Sequence, residues 1–497
     1  MPGLKRYLAS RSAAFLMNFH QQAFLHPLLL AALCFVAGSV SAAEQARPNI
    51  VFMLSDDQGW SGLSVAMHPT LVGSKGDIYH TPNLEKLASQ GMRFSAAYAP
   101  APVCSPTRAS LQTGKSPAQL HWTKAAPPEQ GRRLVEPRII KSLPAGEVTT
   151  GDLLRKAGYA TAHYGKWHIG GGGPGAHGYD EHDGDTGNEN AYQFTDPNPV
   201  DIFGMAARTE KFMEKNQKAG KPFFIQMSWN ALHASENALK ATLAKYEQSM
   251  PGEPSKRVTT AAITEDLDTG VGRVMESIDR LGLASTTYLI YMSDNGAGGG
   301  RKVLNGGKGG VWEGGIRVPL IVRGPGVTPN SWCHVPVVGY DLFPTFCEWA
   351  GIPAASLPKN LEGGSVASLL SHEGQGIVKR PREELVFHFP HYQGETPHSA
   401  IRVGDWKLIR FYEDGRLMLF NLADDIGERN NLAERFPSET LQLNERLSRY
   451  LSSVNAQFPS PNTAFDPTKP EPMRKGTGGG GQPMMPKKPK PVSARLE

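Results

Sequence analysis

Five short stretches hold the side chains with chemistry to offer: Asp56-Asp57, Lys166 with His168, His233, Asp294-Asn295, and the run C-S-P-T-R from Cys104 to Arg108. In the last of these, Pro106 suits the first turn of a helix, where its missing N–H costs nothing, and Gly114 is a natural left-handed stop. Cys104 therefore stands at a helix N-terminus, where unpaired N–H groups and the positive end of the helix dipole favour an anion. Arg108, one turn on, can aim its guanidinium at the same place. A buried, inert cysteine is the plain alternative, free cysteine being among the most buried residue types. Lys308 adds a cation within the glycine-rich run G-G-K-G-G at 306–310. Asp56, Asp57, Asp294 and Asn295 offer only hard oxygen donors, a set that suits calcium or magnesium and not zinc.

Each of the strand-end groups follows an apolar run of strand length. Residues 49–54 lead to Asp56-Asp57, 159–164 to Lys166 and His168, 222–228 to Asn230 and His233, and 287–292 to Asp294-Asn295. Between them the pattern predicts helices over 82–90, 149–158 and 258–281, the last from apolar residues three or four apart at Val258, Ile263, Leu267, Val271, Val274, Ile278 and Leu281. Strand alternating with helix predicts an α/β fold: a large mixed, mostly parallel sheet sandwiched by helices, with the carboxyl ends of its strands facing one crevice. Taken singly, each residue has an ordinary reading, since Asp and Asn cap helices, a lone histidine is often a satisfied core residue, and a lysine among glycines is often solvated. Four strand ends delivering such groups together make the case for a site.

Farther on, residues 384–389, 400–403, 407–412 and 417–420 read as short strands, with a turn at Glu413-Asp414-Gly415, and 441–451 as a helix packed on them. A catalytic domain is thus expected over 43–380 and a smaller C-terminal α+β subdomain, built on an antiparallel sheet, over 381–458. From about Pro459, Pro, Gly, Lys and Met dominate without periodicity, so a disordered basic tail is expected over 459–497.

The chain has 497 residues, 39% hydrophobic and 20% charged, proportions that fit one large globular domain plus a smaller one. Lys5, Arg6 and Arg11 precede a short apolar run at 28–37 and a small-residue site at Val40-Ser41-Ala42, so 1–42 reads as a secretory signal peptide. Its core is shorter than the roughly 20 residues that span a bilayer. The protein is therefore expected to be exported, periplasmic or secreted, with no stable membrane insertion after cleavage. The formal charge of +5 sits at the ends: three basic residues in the leader, and seven basic against three acidic residues from Asp466 on, leave about −2 between them. No basic stripe for nucleic acid remains. Cys34 leaves with the leader, while Cys333 and Cys347 either pair or stay as buried thiols.

The spacing C-x-P-x-R, followed by A-S-L-Q-T-G at 109–114, resembles the signature of the type I sulfatases, arylsulfatase-like members of the alkaline-phosphatase-like superfamily. The resemblance runs from about Pro48 to near Phe420, with its motifs in family order. It implies that a maturation enzyme oxidises Cys104 to formylglycine, whose hydrate is the nucleophile. One geminal oxygen attacks sulfur and the other later expels the sulfate, which a thiol could not do. It implies one calcium ion on Asp56, Asp57, Asp294 and Asn295, with the residue at 104 as a further ligand. Lys166 and Lys308 match the family's sulfate-binding lysines, acting with Arg108. His168, in G-K-W-H, matches the histidine that holds and deprotonates the formylglycine hydroxyl. His233, in N-A-L-H, matches the one that protonates the leaving alcohol, alone or with Lys308, although the proline often found nearby is missing. The run Gly314-Gly315-Ile316-Arg317-Val318-Pro319 is also family-like, and a turn into a strand accounts for it.

The implied activity is hydrolysis of a sulfate ester, of a sulfated carbohydrate and of small aryl sulfates, as in polysaccharide degradation. The alternatives are a metal-dependent phosphatase or phosphodiesterase of the same superfamily and an inactive glycan-binding relative. Phosphatase relatives carry a Ser or Thr nucleophile and a histidine-rich two-metal site, and an inactive relative would have lost a site residue. Neither feature is visible here. Trp60, Trp122 and His388-Phe389-Pro390-His391-Tyr392 could ring the mouth and stack on sugars, or they could simply pack the subdomain interface.

Overall fold

Residues 50–54, Ile-Val-Phe-Met-Leu, turn apolar side chains to both sides of a strand, as a strand covered on both faces requires. The computed structural model describes residues 47–233, 237–297 and 303–468, and places them inside an eight-stranded sheet. In chain order its strands are β1 (Asn49–Ser55), β2 (Met92–Phe94), β3 (Ala160–Gly165), β4 (Glu181–His182), β5 (Phe223–Ser228), β6 (Thr287–Ser293), β7 (Leu320–Arg323) and β8 (Ser331–Cys333). In space the order is β8-β2-β7-β6-β1-β5-β3-β4, and within this sheet β7 alone runs against the others. The expected mixed, mostly parallel sheet is therefore present.

The four strands whose ends carry the charged groups are immediate neighbours, β6-β1-β5-β3. Ser55 pairs across from Ser293, Leu54 from Ser228, and Gly165 from Ser228. Asp56, Asp294 and Lys166, each one residue past its strand, thus fall along the same edge. Parallel pairing in this register is what collects residues far apart in sequence.

Strand alternation divides the core in two. Val51, Met53, Ile225 and Met227 face α1 (Pro82–Ser89), and two long helices that fold over the same side, while Ile50, Phe52, Leu54 and Phe224 face the other way. In chain order the remaining main helices are α2 (Cys104–Thr113), α3 (Thr150–Lys156), α4 (Ile202–Lys218), α5 (Ser255–Arg280) and α6 (Leu342–Trp349). Helices α4 and α5 join α1 through Phe203, Met205, Phe212, Ile263, Leu267 and Val271. Helices α2, α3 and α6 cover the second face through Ala109, Leu111, Leu154, Leu342 and Phe346. Each large apolar side chain so covered contributes roughly 1.5–3 kcal/mol by leaving water. Thr149 caps α3 in a reciprocal box with Asp152. None of the described helices is long and apolar enough to cross a membrane.

The C-terminal strands β9 (Leu385–Phe389), β10 (His398–Val403), β11 (Trp406–Phe411) and β12 (Leu417–Asn421) form an antiparallel meander. Helix α7 (Pro437–Ser453) covers one face, with Leu443, Leu447 and Leu451 on Val386, Ile401, Leu408 and Leu419. The other face, through Phe387, Phe389, Ile409 and Phe420, packs on Tyr98, Val103, Val311 and Trp312. The small sheet thereby braces the segment just before Cys104 and the loop that carries Lys308.

The disordered tail expected from Pro459 needs correction at its start. Ser460–Pro461 pair antiparallel with Leu134–Val135, and the Asn462 N–H donates to the Arg133 carbonyl at 2.9 Å. The expected leader, 1–42, and the tail beyond residue 468 lie outside the described residues. Cys333 and Cys347 are free, buried thiols, pushed up by burial to about 11 and about 12, so neither is a thiolate at neutral pH.

His388 in β9 is fully enclosed: Nε2 donates to the Gln457 carbonyl at 2.8 Å, and Nδ1 pairs with Ser399 Oγ at 2.7 Å. Burial pushes it down from 6.5 to about 3. Between those values the unfolded chain binds a proton that the folded chain refuses, so this contribution is full above pH 6.5 and is lost as pH falls. The advantage of wild type over His388→Gln in urea unfolding is therefore expected to shrink by about 2 kcal/mol between pH 7.5 and 5. A difference independent of pH would mean that the imidazole is not held neutral.

Candidate active site

Cys104 is the first residue of α2, buried, with an N-cap, Val103, whose side chain accepts nothing. Its first-turn amides therefore have no side-chain cap, and Gly114 closes the helix at φ 69° as expected. Arg108 reaches from α2 across the strand ends. Its Nη1 donates to the Lys166 carbonyl at 2.7 Å, and its Nε and Nη2 donate to Asp294 Oδ2 at 3.1 and 2.8 Å. Asp56 Oδ2 lies 3.6 Å from the same guanidinium. Lys166 Nζ pairs with Asp56, Lys308 Nζ lies 2.7 Å from the Asp57 carboxylate, and Asn295 Nδ2 donates to Asp57 Oδ1 at 2.8 Å. Asp56, Asp57, Asp294 and Asn295 thus meet Arg108, Lys166 and Lys308 at one place.

The loop of Lys308 is fixed by its backbone. Lys308 N–H donates to Ala297 at 3.0 Å, and Gly309 N–H donates to the carbonyl of Pro102, two residues before Cys104, at 2.9 Å. A Cβ on Gly315 would run into the carbonyl oxygens of Gly307 and Gly310, so only glycine allows this turn to pack. Arg317, in the same family-like run, pairs with Glu313 at 2.6 Å and donates to the Tyr98 hydroxyl at 2.8 Å.

Asp56, Asp57 and Asp294 present carboxylate oxygens that all lie within 4.8 Å of one another. Asp56 Oδ1 and Asn295 Oδ1 are buried without a hydrogen-bond partner, an expensive condition that a cation would relieve. The donor set is all oxygen, so these residues fit calcium or magnesium. Burial opposes ionisation of Asp56, but Lys166, His233, Arg108 and Lys308 outweigh it and hold its carboxyl well below the usual range. Asp294 is pushed up, first by burial and then by the neighbouring Asp56 carboxylate. Three acids against Arg108, Lys166 and Lys308 leave the set near neutral, and a dication would make it net positive.

His168 follows β3 with φ 60°, a left-handed conformation costly for a residue with a Cβ. Its N–H is pinned to the Thr186 carbonyl at 2.8 Å, and its Nδ1 lies 3.2 Å from Ser105 Oγ, next to Cys104. Burial, then Lys166 and Arg108, pushes His168 down to about 3, so the ring is neutral and able to accept a proton. His233, past the end of β5, lies with Nδ1 3.5 Å from the Tyr192 hydroxyl, and burial lowers it to about 4. Asp57 shares the left-handed strain, at φ 59°, and its N–H donates to Asp294 Oδ1 at 3.2 Å.

Of the two readings open for the aromatic residues, packing in the interior holds. Trp60, Trp122, His388, Phe389, His391 and Tyr392 are all buried, with no more than 3% of any surface exposed. His391 lies between Thr123 Oγ1 and Glu136 Oε2, each at 2.7 Å, with Lys124 on the same carboxylate, so it is a satisfied core residue. The sequence reading missed Ser105 beside His168, and also missed the polar loop at 184–195 that carries Glu189 and Tyr192. Its Gly/Asn-rich composition directly after a strand was the available signal.

Residues 48–352 match the family model described as Sulfatase, and residues 307–457 match that described as N-sulphoglucosamine sulphohydrolase, C-terminal. A sulfatase of Formosa agariphila is 30% identical over 505 positions, covering 82% of this chain and 90% of its own. The N-acetylgalactosamine-6-sulfatase of Rattus norvegicus is 30% identical over 413 positions, covering 74% and 72%. Among solved structures, Ps i-CgsB in complex with k-i-k-neocarrahexaose matches at a TM-score of 0.68 and 23% identity, covering 82% of this chain and 93% of its own. That last likeness is one of fold.

Proposed function

The chain belongs to the sulfatase family and is a sulfuric ester hydrolase, and from that premise we propose that it removes sulfate from a sulfated carbohydrate outside the cytoplasm. Cys104 carries this reading: it sits buried at a helix start, in C-S-P-T-R, on the helix whose Arg108 reaches Asp294 and the Lys166 carbonyl and next to Ser105, which meets His168. Carbohydrate is the favoured class because the rat relative is named for a sulfated amino sugar and the Ps i-CgsB structure holds an oligosaccharide. The leader-like segment at 1–42 supports export.

Cys104, matured to formylglycine by a dedicated enzyme, supplies as its hydrate one oxygen to take the sulfuryl group and a second to release it. Asp56, Asp57, Asp294 and Asn295 would hold a calcium ion, which when bound supplies Lewis-acid charge beside residue 104. Arg108, Lys166 and Lys308 offset the negative charge that builds on the sulfuryl oxygens. His168, neutral and steadied by Ser105, takes the proton from the second hydroxyl as sulfate departs. His233 gives a proton to the leaving alcohol, an imidazolium being favoured once an anionic ester is bound beside it.

The test is a panel of defined sulfated mono- and oligosaccharides beside 4-nitrophenyl sulfate and 4-nitrophenyl phosphate, with released anions measured by ion chromatography. Sulfate release from at least one sugar is expected, with phosphate release far slower. Cleavage of the aryl sulfate and of no sugar would remove the carbohydrate assignment. Phosphate release in preference to sulfate would overturn the reaction itself.

A further inference from the structure

The polar loop at 184–195, G-D-T-G-N-E-N-A-Y-Q-F-T, crosses beside the site and is held at both ends. Thr186 accepts from the His168 N–H at 2.8 Å through its carbonyl and from the Trp167 N–H at 3.1 Å through its hydroxyl. Asn230 Nδ2 donates to the Gly187 carbonyl at 3.3 Å, and Asn190 Oδ1 accepts from the Gly187 N–H at 2.8 Å. Farther along, Asn237 Nδ2 donates to the Phe194 carbonyl at 2.6 Å. The same Asn230 also fixes the other partner, its carbonyl accepting from the His233 N–H at 2.8 Å. Between these anchors Ala191 is buried, while Tyr192 is 42% exposed, with its hydroxyl 3.5 Å from His233 Nδ1. That separation is long for a hydrogen bond, as apo catalytic contacts often are, and a half-exposed phenol closes it with a small rotation.

We propose that Tyr192 is the positioning residue for His233: its hydroxyl oxygen accepts from Nδ1–H of the imidazolium and so aims Nε2–H at the ester oxygen that leaves. The proposal rests on the reading of His233 as the leaving-group acid. As the S–O bond breaks, its electron pair stays on the alcohol oxygen, the Nε2 proton passes to that oxygen, and the sulfuryl group goes to the nucleophile at position 104. His233 returns to the neutral form that keeps Nδ1–H, so the bond to Tyr192 persists through the step and holds one tautomer. Phenylalanine at 192 preserves the ring and its packing and removes only the acceptor.

A sugar alcohol is a poor leaving group and needs that proton, whereas 4-nitrophenolate leaves readily without it. The readout is therefore the ratio of kcat/KM for a sulfated sugar, or a simple alkyl sulfate, to that for 4-nitrophenyl sulfate. This ratio is expected to fall about tenfold in Tyr192→Phe, the worth of one hydrogen bond, and about a hundredfold in His233→Asn. Thermal unfolding and calcium content of both variants check that the site is intact. If the ratio falls in His233→Asn but is unchanged in Tyr192→Phe, the positioning role is wrong and the acid reading stands. If it is unchanged in His233→Asn, His233 is not the acid and the proposal falls with it.

Discussion

Alanine at position 104 is expected to lower kcat/KM for every sulfate ester by roughly 10⁴-fold or more, because it removes the group that takes the sulfuryl unit. Thermal stability should barely change. The side chain is small and stands at a helix start whose cap does not depend on it, so the loss is about 1 kcal/mol or less. Serine at the same place separates two ideas. It can accept the sulfuryl group but has no second oxygen to expel it, so Cys104→Ser is expected to give at most a single turnover. Sustained turnover by Cys104→Ala would show that residue 104 is not the nucleophile, and sustained turnover by Cys104→Ser would show that release of sulfate needs no second oxygen on that residue.

The second large effect is expected at Asp294. Asparagine there keeps an oxygen for Arg108, whose guanidinium donates twice to Asp294 Oδ2, but it removes one of three clustered negative charges. Alanine would be a poorer test, since a buried guanidinium without its partner costs several kcal/mol on its own. Purified Asp294→Asn is expected to carry far less than one calcium per chain, to lose the rise in melting temperature that calcium gives wild type, and to fall on the order of 10³-fold in kcat/KM. Stoichiometric calcium with full activity in this variant would remove Asp294 from the metal site.

The strand-end residues were legible because two local rules coincide. Runs such as 50–54 are apolar on both sides and so must be interior strands, and polar residues directly after interior strands lie at the sheet edge. Parallel pairing then brings Asp56, Lys166 and Asp294 together without further information. Cys104 was legible for another reason, that Pro106 and Gly114 mark the two ends of its helix.

What stayed hidden depends on tertiary contact. His391 and Tyr392 look like sugar-stacking residues in the sequence, yet Glu136, about 250 residues away, together with Thr123, satisfies His391 inside the core. Tyr192 and Ser105 gave the opposite error. The Gly/Asn-rich composition of 184–190 marks a loop but does not single out Tyr192, nothing singles out Ser105, and only the fold brings their hydroxyls against His233 and His168. The strand at Ser460–Pro461 was missed because its stability comes from pairing with residues 134–135, not from its own composition.

The mass of the tryptic peptide 94–108 from active enzyme tests the account most directly, read after treatment with iodoacetamide and with an aminooxy probe. The peptide is expected to resist alkylation, to appear about 18 Da lighter than its thiol form, and to be captured by the probe as an oxime, in proportion to specific activity. Fully active enzyme in which Cys104 is quantitatively alkylated, with no aldehyde captured, would contradict it.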